Sequence, residues 1–479
     1  MFLYKILKQR SGIVLGICLA AAGCKLPAAV QQTENKSVPV SYENSVDTTN
    51  TGYIPWKNFF TDANLVKLID TAIKNNQELL ITLQEIEIAR NDIRVRKGAL
   101  LPSVGVTAGA GVEKVGRYTS QGAGDATTEI EPGKEMPDPL GDFTIAARAN
   151  WEVDIWKKLR NATKAAVTRY LSTMEGKNFV ITNLIAEVAN SYYELIALDN
   201  QLAIVKQNIS LQKNALDIVK AQKDAARATE LAVKKFEAEV LKSQSLEFDI
   251  LQKIREAENK INFLLGRYPQ TIVRDQSSFM LALPPSVNAG IPSQLLANRP
   301  DIKQAELDLT AAKLDVKVAR AEFYPSFEIS AAFGLQAFKP SYLVKMPESI
   351  LYSLAGDLAA PLINRNALKA EFATANAKQL QAMYNYERTI LNAYLEVSNQ
   401  LSNISNLEKS YDLKSKQVNA LTSSIDISTD LFRNARADYL EVLMTQRDAL
   451  EAKLELIETK KQQLGAVVDV YRSLGGGWK

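Results

Sequence analysis

The hydrophobic pattern of the chain switches from a helical period to a two-residue alternation at two places. Residues 89–111 and 312–334 each carry apolar positions three and four apart before a proline, and alternating positions after it. The two stretches align without a gap, so that Asp92 corresponds to Asp315 and Pro102 to Pro325. The flanking regions repeat as well. The pattern therefore predicts one architecture, a helix that leads into a strand, present twice in the chain.

Each alternating segment is followed by a second one, and together they predict two β-hairpins, at about 103–154 and 326–358. The loop of the first hairpin is rich in Gly, Asp, Glu, Thr and Pro, which is typical of a solvated turn region. Strands of about ten residues are long enough to cross a bilayer at a tilt. One face of a soluble β-sandwich would show the same alternation, so the pattern alone leaves both architectures open.

A very long helical segment follows each predicted β-hairpin. Apolar residues recur three and four apart from Trp156 to Lys223, and a matching series runs from Leu380 to Ile425. Such spacing, sustained over many turns, is typical of coiled-coil packing. At a rise of 1.5 Å per residue each of these helices would be about 100 Å long. No compact domain requires a helix of that length.

A shorter helix then turns back along each long one, which gives two helical hairpins with their tips at 223–229 and 434–438. Prolines at 284–285 break the helical pattern, so we place the boundary between the repeats there. The predicted domains begin with a signal peptide (1–23) and a lipid-anchored tether that includes the start of the equatorial region (24–60). The first repeat follows at 61–282, with its long helical hairpin at about 156–267. The second repeat and a C-terminal tail occupy 283–479, with the long helical hairpin at about 361–474.

The amino-terminal segment has the features of a bacterial export signal. Basic residues precede an apolar run from Ile13 to Ala22 that is too short to span a bilayer as a helix. The run leads into Ala21-Ala-Gly-Cys24, which resembles a lipobox, although leucine is usual where Ala21 stands. We predict acylation of Cys24, which would anchor the mature chain to a membrane. A plain signal peptide with an incidental cysteine is the alternative.

Composition excludes several classes of function. The chain has no histidine and only two cysteines, of which Cys18 leaves with the predicted signal. Serine–histidine and cysteine–histidine catalysis are therefore excluded, and so is the commonest transition-metal ligand. The net charge of +3 over 479 residues gives no indication of nucleic-acid binding. We predict a protein that is not an enzyme and has no cofactor apart from the covalent lipid.

The motif Leu-Ala-Asn-Arg-Pro-Asp-Ile at 296–302 predicts the start of a helix. Pro300 suits the first helical position, Asn298 or Arg299 lies near the cap, and Asp301 interacts favourably with the amino-terminal dipole. Asp62 is a predicted helix cap for the same kind of reason. We interpret these residues as structural.

Several features together resemble one family of membrane proteins. They are the lipobox, the duplicated layout, and the motifs Asn-Arg-Pro-Asp-Ile (298–302), Trp-Glu-Val-Asp-Ile-Trp (151–156) and Leu-Leu-Gly-Arg-Tyr-Pro (264–269). As a set they are similar to the outer membrane factors of tripartite efflux systems, the TolC-like proteins, in the lipoprotein branch that includes multidrug and copper/silver exporters. The resemblance covers nearly all of the mature chain.

The resemblance implies a fold that is mainly α with a membrane β-barrel portion. Three protomers would each supply four strands to one twelve-stranded barrel in the outer membrane, continuous with a long helical barrel in the periplasm. The implied function is a passive exit duct for small molecules, which a periplasmic adaptor opens and an inner-membrane pump drives. A non-pore coiled-coil scaffold or adaptor and a protein-secretion duct of the same fold are the alternatives, and the lipobox favours efflux over secretion.

In that family the periplasmic tips of the helical hairpins close the duct, often with aspartates and ion pairs. Matched residue by residue, the candidate gate consists of Arg227 and Glu230 at the first tip and Arg436, Asp438 and Glu441 at the second. Three copies of Glu441 around one axis would select for cations and favour opening by repulsion. Ordinary solvated charges at the tips are the alternative interpretation.

Two positions depart from the family pattern at the passage from strand to helix. Lys157 replaces the glycine that usually follows the Trp-Glu-x-Asp-x-Trp motif, and Asn366 replaces its counterpart in the second copy. Because glycine eases such a transition, we expect a different turn at these sites.

Overall fold

A computed structural model describes residues 28–29, 32–42, 47–276, 279–280, 287–363, 365–434 and 436–479, without the side chain of residue 131. The predicted signal peptide, the predicted acylation site Cys24 and the predicted repeat boundary at 283 lie outside these residues.

The elements follow the predicted order of helices and strands. In chain order they are α1 (Trp56–Phe59), α2 (Ala63–Asn75), α3 (Gln77–Gly98), β1 (Ser103–Glu113), α4 (Ser120–Asp125), β2 (Glu129–Glu131), β3 (Lys134–Glu135), β4 (Leu140–Glu152), α5 (Lys158–Asp224), α6 (Glu230–Leu264), α7 (Ser293–Asn298), α8 (Pro300–Ala321), β5 (Ser326–Ala337), β6 (Ile350–Ala359), α9 (Asn366–Arg433) and α10 (Tyr439–Ser473).

The duplication predicted from the sequence is confirmed by the lengths of the helices. The long helices α5 and α9 have 67 and 68 residues, and the shorter helices that follow them, α6 and α10, have 35 each. Each repeat therefore consists of a helix, two strands, a long helix and a returning helix. In the described part of the chain no helix is long and apolar enough to cross a membrane.

The chain divides into two compact units, and the first contains the sheet. It comprises the described residues of 88–170 and 307–383, together with residues 28–29 and 32–33. Its four long strands form one antiparallel sheet in the order β1-β4-β5-β6. The small hairpin β2-β3 and helix α4 lie in the loop between β1 and β4.

The two faces of this sheet differ in polarity, because residues directly opposite each other on neighbouring strands share a face. One face is apolar, and its exposed members include Val104, Val106, Val112, Ile145, Phe333, Tyr352, Leu354 and Leu358. The other face carries small and polar residues, including Gly105, Thr107, Gly109, Arg148, Asn150, Ser330, Gly334 and Ser353. The alternation predicted from the sequence is thus a division between an apolar and a polar surface.

The Trp-Glu-Val-Asp-Ile-Trp motif fixes the end of β4 and the start of α5. Trp151 donates a 3.0 Å hydrogen bond to the carbonyl of Leu100, and Trp156 donates one of 2.7 Å to that of Pro325. Asp154 accepts hydrogen bonds of 3.0 Å from the backbone N–H groups of Leu159 and Arg160, which would otherwise lack partners at the helix start.

Lys157 follows the Trp-Glu-Val-Asp-Ile-Trp motif directly. This residue adopts a φ of 62°, the left-handed conformation that favours glycine. Asn366, by contrast, is the first residue of α9. The hydrogen bonds of the neighbouring Asp154 hold the turn in place and offset the strain at Lys157.

The second unit, residues 34–87, 171–306 and 384–479, contains most of the helical residues and the largest hydrophobic core. One face of α2 is fully buried, with Leu65, Ile69 and Ala72 at 0% exposure. These residues pack with the apolar faces of α5, α6 and α10. The predicted cap at Asp62 is confirmed, since its carboxylate accepts hydrogen bonds from the backbone N–H groups of Asn64 and Leu65.

Residues 34–42, at the start of this unit, form no helix or strand but pack on helices. Tyr42 is 2% exposed and stacks on Tyr394 of α9, with ring centroids 5.4 Å apart. Lys36 forms a 2.6 Å ion pair with Glu306 of α8, and its ammonium group lies over the ring of Tyr386. The part of the predicted tether from residue 34 to residue 42 is therefore attached to α8 and α9.

Candidate functional site

The candidate gate residues lie at the two helical tips, which close by the same backbone geometry. At the first tip, the N–H of Arg227 donates a 2.7 Å hydrogen bond to the carbonyl of Gln222. At the second, the N–H of Arg436 donates one of 2.8 Å to the carbonyl of Leu431. Each bond spans the last turn of a long helix and satisfies a terminal carbonyl. Ala226 takes the left-handed position of the first tip, with a φ of 59°.

The two tips pack against each other through a small hydrophobic cluster, which we call the tip cluster. It consists of Leu216, Val219, Ala232, Val233, Phe236 and Val240 on α5 and α6, covered by Phe432, Tyr439 and Leu443 on the second hairpin. The tip cluster is distinct from the main core of the helical unit. The charged residues of the tips lie around it.

Glu230 is the candidate gate residue with an ion pair at the first tip. Its carboxylate lies 2.5 Å from the ammonium group of Lys223, on the other side of the turn. This hydrogen bond and the positive charge of Lys223 lower the pKa of Glu230. Sequence reasoning missed Lys223, because the two residues belong to different helices and only the turn brings their side chains together.

The other candidate gate residues are exposed and separate. Glu441 lies in the first turn of α10, and Asp438 is the residue immediately before that helix. Within the described part of the chain, the side chains of Arg227, Arg436, Asp438 and Glu441 form no ion pair. Within the described residues of one protomer, the five candidates therefore form no ion pair with one another.

The Asn-Arg-Pro-Asp-Ile motif forms a buried junction in the helical unit. Pro300 is the first residue of α8 and Asp301 lies in its first turn. The guanidinium of Arg299, 5% exposed, binds both carboxylate oxygens of Asp301, at 3.0 and 2.6 Å. It also donates 2.8 Å and 2.9 Å hydrogen bonds to the carboxylate of Glu396 and the carbonyl of Ser473.

These contacts keep Arg299 charged and tie three helices together. Burial acts to lower the pKa of Arg299, but the hydrogen bonds and charges of Asp301 and Glu396 raise it above its ordinary value. The neighbouring Asn298, fully buried, donates to the carbonyl of Leu474 just after α10. The motif thus forms hydrogen bonds to backbone carbonyls at the carboxyl-terminal end of α10.

In the described residues, His, Cys, Asp and Glu side chains form no group of three or more that could hold a metal ion.

Comparison with protein families identifies one that matches most of the sequence. The family described as outer membrane efflux protein matches residues 68–267 and 291–476. These segments contain both tips, both long helical hairpins and all four long strands.

Curated relatives match over nearly their whole length. The pyoverdine export outer membrane protein OpmQ of Pseudomonas aeruginosa is 28% identical over 88% of this chain and 87% of its own. The cation efflux system protein CusC of Escherichia coli is 26% identical over 97% of this chain and 98% of its own. The probable outer membrane lipoprotein SilC of Salmonella typhimurium is 24% identical over the full length of both chains.

Solved structures share the fold. A crystal structure of a membrane protein from Pseudomonas aeruginosa superposes with a TM-score of 0.84 at 24% identity, covering 94% of this chain and all of that one. A structure of CusC superposes with a TM-score of 0.81 at 23% identity, covering 94% of this chain and 99% of that one.

Proposed function

Because the chain belongs to the outer membrane efflux protein family, we propose that it works as a homotrimer, the exit duct of a tripartite efflux pump. It is an outer-membrane channel protein, and two of the relatives reported above, OpmQ and CusC, are named for export and efflux. Its partners in this proposal are two further copies of itself, a periplasmic adaptor, an inner-membrane pump and the lipids of the outer membrane. The duct is passive, so the free energy for transport comes from the pump.

The observation that carries the proposal is the four-stranded sheet with one apolar face. Its outer strands, β1 and β6, have no further strand beside them in the described chain, so their outward N–H and C=O groups lack partners in the sheet. In a bilayer such open edges are costly, and closure into a barrel satisfies every backbone group. Four strands are too few to close, whereas three copies supply twelve. The apolar face then contacts lipid and the small, polar face lines the lumen.

The helical hairpins extend the duct into the periplasm. Helices α5 and α9, at 67 and 68 residues, are each about 100 Å long at 1.5 Å per residue. Their tips, held together by the tip cluster, form the periplasmic entrance of the proposed duct. Arg227, Glu230, Arg436, Asp438 and Glu441 are the proposed gate residues, and three copies of Glu441 around the axis favour cations at the entrance.

The lipid anchor is a further part of the proposal. Acylation of Cys24 would attach the mature amino terminus to the outer membrane. Residues 34–42, packed on α8 and α9, would then connect that anchor directly to the helical unit.

The cargo of this chain is a small molecule exported through the pump. Relatives are named for exports as different as pyoverdine, toluene and cations. Because ducts of one fold serve such different cargoes, we infer that the inner-membrane pump mainly selects the cargo. The chain has no histidine, so the commonest ligand for transition metals is absent from it.

Native mass and single-channel conductance of the detergent-extracted protein test this function together. We expect a trimer that produces discrete conductance steps in a planar bilayer. A monomer without conductance under any applied voltage would contradict the duct and favour a non-pore scaffold. A trimer that conducts in bilayers yet fails to restore drug or solvent resistance in an efflux-deficient strain would instead favour the protein-secretion duct.

A further inference from the structure

The small, polar face of the sheet contains one isolated basic residue. On β4, Arg148 lies directly opposite Gly105 of β1 and Ala332 of β5, and Ala332 lies opposite Ser353 of β6. These four residues therefore form one row across the sheet. Three of them are small, so nothing else in the row reaches as far from the sheet as the guanidinium of Arg148.

The two neighbouring rows on the same face carry no charge. One consists of Thr107, Ala146, Gly334 and Leu351, and the other of Ser103, Asn150, Ser330 and Ala355. Arg148 is exposed, and it makes no ion pair with any residue in the described part of the chain. Its charge is therefore available to whatever occupies the space in front of this face.

Carboxylates on this face lie only near the ends of the strands. Asp142 is six residues from Arg148 along β4, a separation of roughly 20 Å, and Glu113 of β1 lies opposite Leu140, farther in the same direction. In the other direction Glu152, Glu328 and Asp357 form a single row, four residues or roughly 13 Å away. Glu152 is paired with Lys158 at 2.5 Å. Both separations exceed the screening length of about 8 Å at physiological salt, so these carboxylates leave the field of Arg148 largely intact.

We propose that Arg148 is a charge-selectivity residue of the barrel lumen, which interacts with anionic groups of the cargo and disfavours cations at mid-depth. The inference rests on the proposed function, because three protomers place three guanidinium groups at one level around the duct. A guanidinium binds carboxylate, sulfonate or phosphate groups through paired N–H donors. The lumen then has a positive zone between two acidic ends.

This arrangement separates two kinds of selection along the duct. Acidic residues at the periplasmic tips favour cations at the entrance, whereas Arg148 acts inside the barrel. A molecule that carries both a cationic and an anionic group finds a favourable partner at each level. The chemical class that Arg148 recognises is therefore a small organic anion or zwitterion.

Reversal potentials in a KCl gradient centred on about 0.1 M, where the screening length is about 10 Å, test the proposal. Relative to the native protein, we expect Arg148→Glu to raise the ratio of potassium to chloride permeability at least about twofold, since three positive charges become negative. Arg148→Gln should give a smaller rise in the same direction. Arg148→Lys keeps the charge and should keep the ratio, and Thr107→Ala, in the adjacent uncharged row, should do the same.

Citrate provides a second measurement with an organic anion. Added to one side, it should reduce the potassium current through the native protein more than the current through Arg148→Gln. Trimer mass of each variant establishes that it assembles. If the native trimer conducts but Arg148→Glu and Arg148→Gln keep its reversal potential and its response to citrate, the role of Arg148 is wrong and the duct stands. If the native protein is a monomer and does not conduct under any applied voltage, the duct itself is wrong.

Discussion

The guanidinium of Arg299 donates a 2.9 Å hydrogen bond to the carbonyl oxygen of Ser473, the last residue of α10. The first repeat contains the same contact in simpler form, where the side-chain amide of Asn76 donates 3.0 Å to the carbonyl of Leu264, the last residue of α6. In both repeats, the end of the returning helix thus binds the side chain of the residue immediately before an earlier helix, α3 in the first repeat and α8 in the second. The second repeat replaces a neutral amide by a buried charge that also binds Asp301 and Glu396.

We expect Arg299→Ala to destabilise the protein by about 3–5 kcal/mol, because it leaves Asp301 without its buried partner and frees a helix end. Asn76→Ala removes only a neutral hydrogen bond at the equivalent place and should cost about 1–3 kcal/mol. Thermal unfolding of the two variants in detergent, followed by far-ultraviolet circular dichroism, compares them directly. Equal losses would show that the ion pairs of Arg299 add nothing to the shared helix-end contact.

The repeat and its elements could be predicted from sequence because they depend on local periodicity. The switch of pattern at Pro102 and Pro325 gives the helix-to-strand order, and Asp62 was recognisable as a cap from its neighbours alone. Contacts between distant segments have no such local signal. The ion pair of Arg299 with Glu396 joins residues far apart in the chain, and only the folded arrangement of α8 and α9 brings them together.

The candidate gate shows the same limit. The sequence located both helical tips, since helix ends have recognisable turn residues. It did not identify Lys223 as the partner of Glu230, because the direction of each side chain depends on how the turn closes. Nor did it show that Lys157 adopts the left-handed conformation, which depends on the hydrogen bonds around the turn.

Lys157→Gly should stabilise the protein by about 1 kcal/mol, because a left-handed conformation costs a residue with a side chain roughly 1–2 kcal/mol and glycine avoids this strain. Asn366→Gly is the matched control, since Asn366 occupies the corresponding family position but begins helix α9. There glycine relieves no strain and should be neutral or slightly destabilising. Melting temperatures of both variants decide the matter, and a gain at Asn366 equal to that at Lys157 would contradict the strain argument.

Glu322, the residue just after α8, should make the stability of the protein depend on pH. Burial raises the pKa of Glu322, and the hydrogen bond and charge of Glu371 raise it further. The folded protein therefore holds this proton more tightly than the unfolded chain does. Stability from this group is present below the ordinary glutamate pKa and is lost as pH rises through the raised value.

Glu322→Gln should accordingly unfold at a higher temperature than the native protein at neutral pH, and the difference should shrink toward about pH 4. Glu371→Gln should behave alike, because either change removes the repulsion between the two carboxylates. Melting curves across this pH range provide the measurement. A native protein and Glu322→Gln that differ by the same amount at every pH would contradict the assignment.

Substitutions of Tyr42 should separate the contribution of ring packing to stability from that of hydrogen bonding by the hydroxyl. Its ring is buried against Tyr394, but its hydroxyl has no hydrogen-bond partner in the described part of the chain. Tyr42→Phe keeps the stacking and removes an unsatisfied polar group, so it should be neutral or stabilising. Tyr42→Ala should cost about 3–5 kcal/mol, as deletion of a buried aromatic ring usually does. Thermal unfolding that shows a comparable loss in Tyr42→Phe would mean that the hydroxyl does form a stabilising contact.

Glu441 and Glu230 offer the sharpest test of the gate, because one is unpaired and the other is neutralised. If unpaired carboxylates around the axis favour cations and repel one another, Glu441→Gln should lower the cation selectivity of the duct and change its resting conductance. Glu230→Gln leaves Lys223 without its partner, so the entrance gains net positive charge and cation selectivity should fall for a different reason. The double variant Lys223→Met/Glu230→Gln removes the pair as a unit and should conduct like the native protein. Single-channel recordings in which Glu441→Gln is also indistinguishable from the native protein would leave the tip charges as ordinary solvated residues, and the closure of the duct would then rest on the packing of the tip cluster.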